Sequence, residues 1–269
     1  MTKSDELPSS LSFNVPFTSS SSVSNYHDFS TSNSTTSNSV DETLGSSNKE
    51  IQYDSNNVAA LKEWAIICKA AEDGKQVLLF RKGGIMEYRN GFELKYKNFF
   101  LFPTFEHQSL DSIQGDYKDH LEKLEKQHVQ KDKHIESKNN SNNTTNIELF
   151  VEITYFNEIN DINTLEKLEK FHIWTLDYVK MRFNYNPKKP LYLMLLRTYK
   201  LDAPIKIYNM PEWSGCKSWI QIDFNNGISE GSMNGPIVAD FEYLKSISKP
   251  CIDDVKFNTI TEEIRSIIK

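Results

Sequence analysis

The sequence predicts an α+β domain. Its sheet is expected to be mixed, mainly antiparallel, and curved or barrel-like, with flanking helices and a leader that adds nothing to the core. Three observations carry this expectation. Residues 1 to 56 are dominated by Ser, Thr and Asn, as in FTSSSSVSN and STSNSTTSNSV. Such a segment buries too little apolar surface to offset its ordering entropy, so it is expected to be disordered. From Asn57 onward, short apolar or alternating runs fall in hairpin-like groups separated by helical stretches, which favours α+β over a doubly wound parallel sheet. A basic glycine turn, Arg81-Lys82-Gly83-Gly84, lies inside the densest of these groups, where positive φ suits a tight reversal.

The elements follow in order. Val58, Leu61, Trp64, Ala65 and Cys68 recur at helical spacing and Gly74 is a suitable stop, so the pattern predicts a helix from about Val58 to Glu72. EWAIIC as a strand followed by a helical turn is the alternative. Val77 to Phe80 reads as a buried strand. Phe92, Leu94 and Tyr96 alternate with charged residues and read as a half-exposed one. Phe99 to Phe102, ended by Pro103, is a third, and the three together suggest an antiparallel meander. Gln114 to Lys138 is a highly charged helix whose apolar stripe is only Leu121 and Leu124. With the Asn-rich tract behind it, it forms an expected surface insertion over about 110–146. Ile147 to Tyr155 alternates strictly, the clearest strand in the chain. Thr164 and Thr175 are placed to cap two helices. Leu191 to Tyr199, Ile205 to Tyr208 and Cys216 to Ile222 read as strands. Val255 to Ile268 reads as a closing helix. Residues 57–269 are thus expected to form a single domain.

Composition narrows the function classes. The leader carries two lysines and seven acids, a net −5, which leaves −1 of the whole-chain −6 for the remainder. A near-neutral domain makes no electrostatic case of its own for nucleic acid or membrane, although local patches can exist. Cys68, Cys216 and Cys251 are odd in number and form no CxxC pair, so no zinc ribbon or disulfide framework is indicated. The first residues lack a secretory apolar region, and no run is long and apolar enough to span a bilayer. A cytoplasmic or nuclear protein, not a secreted one, is the expectation. The sequons at Asn33, Asn142 and Asn143 then read as chance matches.

Several strings, taken together and in order, resemble the domain-of-unknown-function family eighteen-oh-two. They are LKEWA from Leu61, LLFRKGGI from Leu78, FLFPTFEHQ from Phe100, HIWT from His172, KPLYLMLLRTY from Lys189 and GCKSW from Gly215. The leader and the charged insertion do not match. The resemblance implies no established activity. The family's association with restriction-endonuclease-type domains implies a role in restriction–modification, by neighbourhood alone.

Two sets of residues can carry chemistry. Glu106, His107 and Gln108 follow an apolar strand, a common location for a site. His172 and Cys216 lie in other signature strings. A Cys–His pair would use Cys216 as nucleophile, His107 or His172 as base, and Glu106 or Gln108 to orient the ring. No nucleophile motif surrounds Cys216, however, which favours a small packed thiol with both histidines structural. Metal binding by Glu106, His107, His172 and Cys216 fits no known ligand spacing, so no metal is expected. The second set is basic. Arg81, Lys82, Gly83 and Gly84, with Lys189 and Arg197, would form an anion-binding surface, joined by Arg182, Lys188 and Lys217. Trp174, Trp213 and Trp219 would offer stacking surfaces. The plainer reading has Arg81 paired with a carboxylate such as Glu63, the lysines solvated and the tryptophans in the core. No GxGxxG or GxxxxGK[ST] string occurs, so no cofactor is expected. The expected partner is nucleic acid or another anionic ligand. A Cys–His hydrolase or transferase, and a structural interaction module, are the other readings.

Overall fold

Residues 57–82, 92–136, 143–223 and 241–268 are described by the computed structural model, all within the compact unit Lys49–Lys269. The expected disordered leader, Gly83 and Gly84 lie outside the described residues. The elements are β1 (Asn57–Trp64), α1 (Ala65–Glu72), β2 (Leu78–Arg81), β3 (Asn98–Thr104), α2 (Gly115–Glu136), β4 (Thr144–Ile159), α3 (Asn163–Leu168), α4 (Leu176–Asn184), β5 (Leu191–Tyr208), β6 (Trp219–Asp223), α5 (Phe241–Ser246), β7 (Ser248–Pro250) and α6 (Asp254–Ile268). The strands form one mixed sheet in the order β2-β5-β4-β3-β1-β6, with β7 also on β5. Every pairing is antiparallel except β1 with β3. The described ladder is open, ending at β2 and β6, and does not close into a barrel.

Both faces of the sheet are buried, which explains why its strands read as unbroken apolar runs. Ala59, Leu61, Phe99, Leu101, Leu149 and Val151 point into the larger core, which α1, α3, α4 and α6 cover. Ala60, Phe100, Phe102, Phe150 and Ile205 point into the second core, with Trp213 and Leu244 of α5. This two-sided burial corrects the first expectation. Val58 to Trp64 is a strand, because β1 sits between β3 and β6, and helical-looking spacing there reflects continuous burial. The helix begins only at Ala65, so EWAIIC is split between the two elements.

The meander is also corrected. β2 lies at the edge on β5, while β3 lies between β4 and β1. Phe92 to Tyr96 keeps its alternation of burial but forms no ladder. It is pinned instead by side chains: Trp219 Nε1 donates to the Glu93 carbonyl at 3.1 Å, and the Phe92 and Tyr96 rings pack on the Trp219 indole. The two strands expected between Leu191 and Tyr208 are one, β5, whose pairing with β4 shifts register twice and passes over residues 201–204 between Lys200 and Ile205. Thr164 lies inside α3, and the Asp161 carboxylate accepts from the Asn163 N–H at 2.9 Å instead. Thr175 does cap α4, its hydroxyl accepting from the Tyr178 N–H at 3.4 Å. The charged helix is α2; its stripe is used, since Leu121 is fully buried and Leu124 packs beside it. Just before it, Ile113 is buried and Gln114 Nε2 donates to the Trp174 carbonyl at 3.0 Å.

Candidate functional site

The parallel pair β1 and β3 brings two carboxyl ends side by side, with Lys62 opposite Phe102 and Trp64 opposite Thr104. Where parallel strands end together, the departing segments splay apart and leave a crevice. Here α1 leaves from β1 and the loop Glu106-His107-Gln108 leaves from β3. Gln108 Oε1 accepts from the Ile66 N–H at 3.1 Å, tying that loop to an otherwise unpaired donor in the first turn of α1. His107 adopts a left-handed backbone, φ 62°, a conformation that costs energy in a residue with a Cβ. The third wall is the loop that enters β6. The Lys62 N–H donates to the Ser218 carbonyl at 2.9 Å, and this brings Gly215, Cys216 and Lys217 to the same end. The fourth comes from Phe80 and Arg81 of β2 and Tyr178, Val179 and Arg182 of α4. Together they enclose a cleft of about 390 Å³.

Lys62 holds the walls together. Its buried ammonium donates to the Trp213 carbonyl at 2.9 Å, the Gly215 carbonyl at 3.0 Å and Glu106 Oε2 at 3.2 Å. Glu63 is buried beside it and is fully used: Oε1 accepts from the Trp64 N–H at 2.9 Å and Oε2 from Arg81 Nη2 at 2.7 Å. The Arg81–Glu63 pair is the one the sequence offered as the plainer reading. Arg81 also donates to the Lys62 carbonyl at 2.9 Å, while its Nε meets no acceptor among the described residues. The rings of Trp64 and Tyr178 meet at 5.3 Å and line one side of the cleft. Trp174 backs them, 6.3 Å from Tyr178, with its indole N–H buried and unpaired among the described residues.

The structure gathers Glu106, His107 and Cys216 in this cleft, with Cys216 Sγ 3.9 Å from His107 Nε2, both side chains exposed. It separates His172 from them. His172 is 2% exposed, packed behind Phe80 and Trp174 at centroid distances of 5.4 and 5.8 Å. Burial lowers its pKa to about 4, against a small opposing contact with the Trp174 backbone, and neither ring nitrogen has a well-formed partner among the described residues. It cannot serve as the base for Cys216. Glu106 and Gln108 are already engaged by Lys62 and by α1, so neither orients the His107 ring through those contacts. Among the described residues no group of three or more His, Cys, Asp or Glu is placed to hold a metal ion.

The expected basic surface does not form as drawn. Lys82 is buried, its ammonium on the Phe183 carbonyl and ring, with its pKa lowered by burial and then by Arg182. Arg197 is buried against α6, donating to the Ile252 carbonyl at 2.6 Å and paired with Asp254. Lys189 does not line the cleft, and its backbone N–H closes a turn on the Asn186 carbonyl at 3.0 Å. Lys82, just past the end of β2, and Arg197, within β5, each already serve a partner inside the fold. Of the named cations, Arg81, Arg182 and Lys217 do line the cleft. Trp213 and Trp219 pack in the core against Phe102 and Phe99. Sequence reasoning missed Lys62 and Trp64, because a helix from Val58 to Glu72 gives neither of them a place beside Glu106.

A family model described as "Domain of unknown function (DUF1802)" matches residues 60–249. None of the curated proteins matches the chain. Among solved structures, the ASCH protein from Zymomonas mobilis is 12% identical, covering 61% of this chain and 86% of that one at a TM-score of 0.32. A serine-to-alanine mutant of that ASCH protein is 14% identical over 61% and 87%, TM-score 0.33. A tyrosine-to-phenylalanine mutant is 15% identical over 52% and 68%, TM-score 0.28. At those values the likeness bears on neither the site nor its chemistry. Among the described residues no helix is long and apolar enough to cross a membrane.

Proposed function

The chain belongs to the family described as a domain of unknown function (DUF1802), and from the site geometry we propose that it binds a nucleotide-like ligand, an anion carrying an aromatic ring, in the cleft at the carboxyl ends of β1 and β3. The observation that carries this is a surplus of positive charge beside an aromatic wall. Four cations, Lys62, Arg81, Arg182 and Lys217, line the cleft against two carboxylates, Glu63 and Glu106. Both carboxylates are held by Arg81 and Lys62, so the surplus resides on Arg182 and Lys217. In a domain whose net charge is near zero, that is a local concentration, and a partly enclosed site strengthens it. α1 starts at the same place with no acid in its first turn, so the positive end of its dipole adds to the field. Trp64 and Tyr178 supply a face on which a base can stack, worth roughly 1–3 kcal/mol per base.

The test is a titration of the full chain with AMP, adenosine and inorganic phosphate, followed by tryptophan fluorescence. AMP is expected to quench Trp64, with adenosine and phosphate each far weaker. Arg182→Ala is expected to weaken AMP about tenfold, as loss of one charge-assisted contact does. No AMP response at millimolar concentration in low salt would end this reading.

A second reading is favoured by one distance, the 3.9 Å between Cys216 Sγ and His107 Nε2. In it His107 takes the thiol proton, the thiolate adds to an acyl carbon, and the bond from that carbon to its leaving atom breaks as His107 returns the proton to that atom. The other two cysteines are poor competitors: burial pushes Cys251 up to about 11 and Cys68 well above its ordinary value. Iodoacetamide at pH 7 is expected to label the native chain at Cys216 alone, and more slowly in His107→Ala. Equal labelling rates in the two proteins would remove the base from the scheme.

A further inference from the structure

Resting on the reading of the cleft given above, we infer that its ligand is a single strand of nucleic acid that leaves the cleft along one face of α4, and not a free nucleotide. Tyr178, Met181, Arg182 and Tyr185 stand at i, i+3, i+4 and i+7, a single stripe on a helix. Tyr185 is the C-cap of α4, and the chain turns extended there (φ −64°, ψ 118°), but its N–H still bonds the Met181 carbonyl at 2.9 Å, so its Cα closes the last turn and its side chain continues the stripe. Tyr178 and Arg182 line the cleft; Met181 and Tyr185 lie beyond it, 52% and 61% exposed. Tyr185 is the most exposed aromatic among the described residues.

Seven residues of helical rise separate the two tyrosines by about 10 Å. One base stacked at Tyr178 therefore leaves Tyr185 uncovered, and a further base of the same strand covers it. The charge along this path is positive. Arg182 stands between the tyrosines, and exposed Lys188 follows in the turn after α4. The only acid of α4 is Asp177, in its first turn, one turn before Met181 at the edge of the stripe away from Arg182. A helix C-terminus normally disfavours phosphate. Here the buried Lys82 ammonium sits on the Phe183 carbonyl and offsets that end of the dipole. An unpaired strand fits because only unpaired bases can stack on exposed rings.

The experiment compares fluorescein-labelled single-stranded ribo- and deoxyribo-10-mers, a 10-base-pair duplex and AMP, using full-length protein and fluorescence anisotropy, with AMP followed as above. Arg182→Ala and Tyr185→Ala are tested after their melts match the parent. Single strands are expected to bind at least tenfold more tightly than AMP and than the duplex. Tyr185→Ala is expected to weaken the 10-mers about tenfold and leave AMP unchanged, whereas Arg182→Ala weakens both. The ratio between ribo and deoxyribo strands assigns the sugar. If the 10-mers bind no more tightly than AMP, or Tyr185→Ala leaves them untouched, the strand path is overturned while the cleft reading stands. In the latter case the exposed stripe belongs to a protein contact. If neither AMP nor any strand binds, both fall.

Discussion

His172 offers a measurable link between burial and pH. Its ring is enclosed by Phe80 and Trp174 and its pKa is lowered to about 4, chiefly by burial. In the unfolded chain the imidazole titrates near 6.5. Between those values the unfolded chain takes up a proton that the folded one refuses. Stability is therefore lost as pH falls from about 6.5 to about 4, and the loss levels off below that. At about 1.4 kcal/mol per pH unit, the gap is worth roughly 3 kcal/mol at pH 4. Other acids and bases contribute to acid unfolding, so the quantity to measure is a difference. Urea unfolding of the parent and of His172→Leu at half-unit steps from pH 7.5 to 4 gives two stability curves. Leucine fills similar space without a proton to gain. The parent is expected to lose about 3 kcal/mol more than the variant across the window. Parallel curves would show that His172 can find a proton acceptor, or water, in the folded chain, and the account of the buried ring would be wrong.

Lys62→Met is expected to destabilise the chain by about 3 kcal/mol in the same urea assay, because two buried carbonyls and Glu106 lose their shared donor. The variant should also lose the AMP response. Gly74→Ala is expected to cost about 2 kcal/mol: φ is +67° there, and a Cβ would stand 2.8 Å from Ile252 Cγ1. A melt unchanged by that substitution would show that the turn after α1 can relax freely.

The chain's alternating and capped segments were readable because their signal is local. Ile147 to Tyr155 forms the strand its alternation predicts, with Leu149, Val151 and Ile153 in one core although a register shift after Ile147 leaves that residue in the other, and the Thr175 cap needs only its neighbour three residues on. β1 was not readable as a strand, because a strand buried on both faces leaves no period, and its spacing happened to match a helix. The same error hid Lys62. Its three acceptors lie 44 to 153 residues away, and nothing near it in the sequence distinguishes a buried ammonium from a solvated one. Cys216 and His107 were singled out as separate strings, but only the register of β1 with β6 and with β3 brings them together. Lys82 and Arg197 dropped out of the basic set for a related reason. A cation's neighbours in the sequence do not say whether Lys82 or Arg197 already has a carbonyl or carboxylate to serve.

The ammonium of Lys62 ties its own strand to two stretches that the ribosome delivers far from it and from each other, so no contiguous peptide reproduces the hollow. A tiled array of overlapping fragments would be blind to any ligand that the intact chain captures. In deuterium exchange, the amides of residues 62, 106 and 213–215 should slow together when a ligand docks, as one cooperative patch scattered across the map.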